Sequence, residues 1–174
     1  MILTDNIKKF IMDHSKEIAP FECVGVVFKK NDNIQIKKLK SLFDHIKNYA
    51  AVEWDTVLEA VEGGEVLALY HSHVNSDEFS PEDKAASEKF GSKIIMYCIE
   101  KRSFKVYEPS GFTAPYVGRL WAWGLFTCIN LVEDFYKKEL KITIKGFEDN
   151  LLGVANIIVL PLFIYFSINK TKLL

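Results

Sequence analysis

Apolar positions along this chain change period several times, and each change marks an element. Ile7, Phe10, Ile11 and Ile18 form an apolar stripe behind Thr4-Asp5, a pair able to cap a helix, and Pro20 stops that helix. The run Phe21-Glu22-Cys23-Val24-Gly25-Val26-Val27-Phe28 is β-type, with a single charge near its start. Lys30-Asn31-Asp32-Asn33 has the composition of a hairpin turn, and Ile34-Gln35-Ile36-Lys37 alternates as a return strand. Periodicity fades from Ser41 to Val52. It returns over residues 53–61 as an amphipathic helix closed by Gly63-Gly64. Val66 to Tyr70 is an apolar strand, and 84–90 is a helix ended by Gly91. Ile94 to Ile99 reads as a buried strand, with Ser103 to Tyr107 pairing back to it across Glu100-Lys101-Arg102. This succession predicts an α/β (α+β) fold, a β-sheet flanked by helices, complete by about Pro109.

Beyond that point the pattern differs. Tyr116 to Gly124 is rich in aromatic residues and leads into a helical segment from Thr127 to Tyr136. Leu151 to Ile168 is almost wholly apolar, interrupted by Asn156 and Pro161 and followed by Lys170-Thr171-Lys172. The last stretch is near the minimum length for a membrane span, so membrane contact through 151–168 stands beside a packed tail and a truncated segment as its reading; truncation is preferred.

Composition narrows the classes. With 174 residues, 49% of them hydrophobic and 26% charged, the chain has material for a real core. A net charge of −1 gives no footprint for nucleic acid. The 3 cysteines, Cys23, Cys98 and Cys128, are odd in number and far apart, which fits a reducing, cytoplasmic setting rather than a disulfide framework. Cys23 and Cys98 read as buried thiols. The N-terminus shows no basic stretch followed by an apolar one, so no secretory signal is expected.

The candidate chemistry lies at His71-Ser72-His73 and Ser80-Pro81-Glu82-Asp83. Side chains alternate faces along a strand, so His71 and His73 point the same way. Asp83 follows across a polar loop. Two neutral ring nitrogens and a carboxylate are a catalytic zinc set, with a fourth position left for water. Asp83 has a second reading. Ser at the N-cap, Pro at the first helical position and an acid at the third are a helix start with a capping box, and the two roles are compatible. Glu22, alone, reads as an exposed carboxylate at a strand end or as a group put to use. His14 reads as a surface or half-buried helix residue, and His45 as a loop histidine.

An upstream Glu on a strand, then His-x-His at a strand end, then Ser-x-x-Asp opening a helix resembles the JAB/MPN (JAMM) metallopeptidase family over residues 3–112. The resemblance implies Zn2+ held by His71, His73 and Asp83. It makes Glu22 the general base and Ser80 a hydrogen-bond donor to the oxyanion, in hydrolysis of peptide or isopeptide bonds. Where the family usually has Pro after the second histidine this chain has Val74, a change in loop stiffness rather than coordination.

The segment from Gly111 through Gly118-Arg119, Trp121 and Gly124 to Cys128 resembles the start of an NlpC/P60 cysteine peptidase domain. The two domains in this order look like the tail assembly proteins of lambda-like phages. The implied organisation is a JAB/MPN-like domain over 1–112, a truncated NlpC/P60-like segment over 113–150 and an apolar tail over 151–174. The implied setting is a bacterial host cell, with phage tail proteins among the candidate polypeptide substrates. A cysteine peptidase needs an imidazole to activate its thiol. All 4 histidines precede Cys128, at 14, 45, 71 and 73, and the last two are taken by the zinc set, so Cys128 is expected to be a helix core residue. The competing functions are a catalytically silent tail-assembly scaffold and a peptidoglycan hydrolase acting through Cys128.

Overall fold

Thr4 caps the first helix: its hydroxyl accepts the Ile7 N–H, and α1 runs over Asp5–Ile18. Two strands follow, β1 (Val24–Lys30) and β2 (Asn33–Leu39), turning through Asn31 and Asp32, both at positive φ. Positive φ at both central residues matches the twist of a tight hairpin, and Asn and Asp tolerate it best after glycine. Helix α2 (Trp54–Val61) ends in a left-handed residue, Glu62, followed by Gly63, also at positive φ. Strand β3 (Glu65–His73) leads through a loop to α3 (Pro81–Phe90), then β4 (Lys93–Cys98) and β5 (Ser103–Tyr107). In this computed structural model, residues 2–43, 46, 47, 49–119, 121, 122 and 125–144 are described. His45 and the whole of 151–174 lie outside them.

The five strands form one sheet in the order β2-β1-β3-β4-β5. β1 pairs antiparallel with β2 and β3, and β5 antiparallel with β4, while β3 and β4 run parallel with α3 as their crossover. A crossover helix starts where the preceding strand ends, which puts the first turn of α3 beside the end of β3. An antiparallel neighbour starts where its partner ends, so the residues before β1 lie there too.

Alternation sorts the sheet into two faces. Cys23, Val27, Ala68, Tyr70, Ile95 and Tyr97 pack against Ile7 and Ile11 of α1. On the other face Val26, Phe28 and Leu69 pack against Val57 and Val61 of α2. His14, expected at the surface, is buried at 3% exposure, and its Nδ1 lies 2.8 Å from the Tyr70 hydroxyl. Gly25 makes that contact available. A Cβ there would lie 2.2 Å from the Tyr70 ring, so only glycine lets the phenol cross β1 toward α1.

The chain divides into two units, Met1–Pro115 and Tyr116–Leu174. The second holds α4 (Cys128–Phe135), which opens with a capping box of Thr127 and Asn130 and runs into a π-helical turn over Tyr136–Leu140. Cys128 is the first residue of α4 and is exposed, not the helix core residue expected from its want of an activating imidazole. No residue of α4 is buried. Within this unit Arg119 pairs with Asp134 at 2.7 Å and lies over the Phe126 ring. Among the described residues no helix is long and apolar enough to cross a membrane.

Candidate metal centre

Residues Leu69, His71 and His73 alternate onto the face opposite α1, since Ala68 and Tyr70 face α1. The end of β3 is held on both flanks. On the β4 side, Ile99 N–H donates to the His73 carbonyl at 2.9 Å and Glu100 N–H to the Val74 carbonyl at 3.0 Å. On the β1 side, the ladder reaches the pair Val24 and His71, and Ser72 N–H then donates to the Cys23 carbonyl at 3.1 Å. The two rings are therefore carried by a paired strand, not by a free loop.

Asp83 comes from the opposite direction, on the third position of α3. Ser80 Oγ accepts the Asp83 N–H at 3.0 Å, and Asp83 Oδ2 accepts the Ser80 N–H at 2.8 Å. The capping box read in the sequence is complete, and it fixes the carboxylate through two reciprocal bonds. Glu88 steadies the same helix from its other end, accepting the backbone N–H groups of Ser110 at 2.7 Å and Phe112 at 2.9 Å. Nothing in the residue pattern announced that contact, because Glu88 has the place of an ordinary solvated helix residue. Between His73 and Ser80 the loop is tied down by Asp77, which pairs with Lys101 and Lys105 of the β4–β5 hairpin.

His71, His73 and Asp83 converge. The Nε2 atoms of His71 and His73 lie 2.9 Å apart, with His71 Nε2 3.3 Å from Asp83 Oδ1 and His73 Nε2 3.6 Å from Asp83 Oδ2. Donor atoms bound at roughly 2.0–2.1 Å to one tetrahedral ion lie about 3.3 Å from each other. The three observed separations straddle that figure. The donor set, two imidazoles and one carboxylate, suits Zn2+. The side chains of all three are mostly buried, and among the described residues they form the sole cluster of this kind.

Electrostatics tie the set together. Burial opposes ionisation of Asp83, but the charge and hydrogen bond of His71, the Ser80 N–H and His73 outweigh it and hold the carboxyl well below its usual range. Burial also opposes a charged His71, yet Asp83, and then Glu22, raise its pKa. His73 is pushed the other way, by burial and by His71, and so favours the neutral form that a ligand needs.

Glu22 is buried at 7% exposure. It precedes β1 by two residues and alternates with Val24 and Val26, so it shares the face of His71 and His73. Burial raises its carboxyl from the ordinary value to about 7; His71 lowers it and Asp83 raises it further. It is therefore not the exposed strand-end carboxylate that its position alone would allow. A buried carboxyl with a pKa near neutrality can take up and release a proton at neutral pH. Ser80 Oγ receives the Asp83 N–H, and its own hydroxyl proton is left to donate. Cys128 belongs to the second unit.

The sequence model of the family described as prokaryotic homologs of the JAB domain matches residues 5–110. Among solved structures, a JAB1/MPN domain protein from Archaeoglobus fulgidus is similar at 22% identity. The match covers 59% of this chain and 83% of that one, with a TM-score of 0.42. A second, described as a JAMM metalloprotease-like zinc site in the proteasome and signalosome, is 19% identical. There the match covers 64% and 89% of the two chains, with a TM-score of 0.40. No curated protein matches the chain significantly.

Proposed function

From a chain that belongs to the family of prokaryotic homologs of the JAB domain, we propose a zinc-dependent metallopeptidase of the JAMM type, hydrolysing peptide or isopeptide bonds. The observation that carries this reading is the convergence of His71, His73 and Asp83 next to a buried Glu22. His71 Nε2, His73 Nε2 and one Asp83 oxygen would hold the ion. Zinc supplies Lewis acidity toward water and the scissile carbonyl.

The remaining steps belong to the chain. Glu22 accepts a proton from the attacking water. As the tetrahedral species collapses, Glu22 returns that proton to the departing amine nitrogen, so the amide C–N bond breaks without a free amide anion. Ser80 donates its hydroxyl proton to the oxygen on which negative charge develops. Its backbone N–H meanwhile keeps Asp83 in place. Burial of Glu22 both raises its basicity and keeps bulk water from competing for the proton.

We place the activity in the cytoplasm of a bacterial host, with a polypeptide substrate drawn from phage tail assembly, on the order of the two motif groups in the sequence. The rival reading, a silent scaffold, has no specific feature in its favour, since all five residues of the motif are present. The test is hydrolysis of a quenched fluorogenic peptide library by the zinc-loaded full chain and by Glu22→Gln at equal zinc content. The variant should lose on the order of 10²–10⁴ in rate. Equal rates in the two proteins would favour the scaffold.

A further inference from the structure

The geometry points to Ser72, the residue between the two histidines, as the positioning residue that fixes Glu22 against the ligand set, an inference that rests on the hydrolase reading above. Among the described residues none hydrogen-bonds the Glu22 carboxyl. Its place is therefore set by its backbone, and the backbone on its C-terminal side is held by one unusual rung.

β1 and β3 pair in register as far as Val24 and His71. The next rung is Cys23 with Ser72. Ser72 N–H donates to the Cys23 carbonyl at 3.1 Å, as a regular antiparallel rung requires. The return bond differs. Cys23 N–H donates to Ser72 Oγ at 3.0 Å, where a regular rung would use the Ser72 main-chain carbonyl. The hydroxyl thus carries the pairing one residue further along β1, up to the neighbour of Glu22.

Position on the sheet makes this bond hard to replace. Ser72 is 0% exposed and Cys23 2%, so water cannot take over the Cys23 N–H if the hydroxyl is removed. Alternation sends Ser72 toward the α1 face while His71 and His73 face the other way. The same three-residue stretch thereby carries two ligands on one face and, on the other, the clamp that holds the base. A serine or threonine supplies the acceptor on a short arm; alanine, valine or cysteine does not supply an equivalent oxygen.

The experiment compares the full chain with Ser72→Ala, Ser72→Thr, Glu22→Gln and the Ser72→Ala/Glu22→Gln double variant. Without zinc, the Cys23 amide should be protected from hydrogen exchange in the wild type and in Ser72→Thr, and exchange at least about tenfold faster in Ser72→Ala. Zinc alone should bind Ser72→Ala within about threefold of the wild-type affinity, because the ligands are untouched. On the fluorogenic peptide library, kcat should fall about 10- to 100-fold with KM held, the scale expected of a base displaced by about 1 Å. Ser72→Thr should restore most of that loss. In the Glu22→Gln background Ser72→Ala should cause no further loss, since the group it positions is gone. An equal loss in both backgrounds, or wild-type kcat in a Ser72→Ala protein whose Cys23 amide has lost protection, would overturn the role of Ser72 and leave the hydrolase reading standing. A zinc-loaded wild type with no hydrolysis would overturn both together.

Discussion

On the α1 face of the sheet, His14 is buried against Tyr70, its ring nitrogen 2.8 Å from the phenol. On the opposite face, His71 and His73 stand with their Nε2 atoms 2.9 Å apart and Asp83 beside them. Both environments are buried, and both draw on β3, which sends Tyr70 and Ser72 one way and His71 and His73 the other. Burial lowers the pKa of His14, and Lys38 adds to the effect, so a neutral ring shares one hydrogen bond with one neutral partner. That arrangement satisfies two core polar groups and stops there. On the other face, three donor atoms meet at one point and a carboxyl waits at about 7. Convergence of donors, not burial of a histidine, separates a candidate site from a satisfied core.

The largest expected effect is on the site face. His71→Ala should abolish stoichiometric zinc binding while the fold persists, read by metal analysis alongside circular dichroism. Retention of zinc by that variant would break the distinction between the faces.

Next comes an effect on stability rather than metal. Glu22 has a raised pKa in the folded chain, so its ionised form is disfavoured there. In the metal-free protein this cost is full above pH 7 and absent below about 4.5, where the carboxyl is protonated in both states. Glu22→Gln should therefore stabilise the metal-free chain by about 3 kcal/mol at pH 8. The gain should fade as pH drops toward 4.5. Chemical denaturation at the two pH values checks the sign. A gain that grew on acidification would mean that Glu22 is not buried as described.

On the α1 face, His14→Ala leaves the Tyr70 hydroxyl buried without its partner. It should cost about 1–3 kcal/mol in denaturant unfolding, with zinc affinity unchanged. A loss of zinc in this variant would show that the two faces are coupled through β3. The smallest effect is expected at Cys128. It is exposed at the start of α4, so Cys128→Ser should change stability by less than about 0.5 kcal/mol and leave peptide hydrolysis intact.

Much of this fold was legible in advance, for physical reasons. The helix starts at Thr4 and Ser80 and the turn at Asn31-Asp32 are local chemistry, so residue types state them directly. The two histidines share a face because strands alternate, a rule that needs no tertiary information. Convergence of Asp83 with them follows from a crossover helix starting at the end of its strand. What stayed hidden depends on contacts between distant segments. His14 looked like a surface residue because its partner lies 56 positions away and becomes reachable only through the gap at Gly25. Cys128 reads as a core residue only because no imidazole follows it in the chain, and a missing catalytic partner does not fix burial. Ser72 carried a faint signal: a hydroxyl on the buried α1 face of β3 needs a partner, and its acceptor role toward Cys23 answers that need.

His71, His73 and Asp83 together form the proposed metal centre. Its most direct test is zinc stoichiometry on the purified full chain after dialysis, for the wild type and Asp83→Ala side by side. About one zinc per wild-type chain is expected, and close to none in Asp83→Ala. A wild type that takes up no zinc, or an Asp83→Ala protein that retains the same amount, would contradict it.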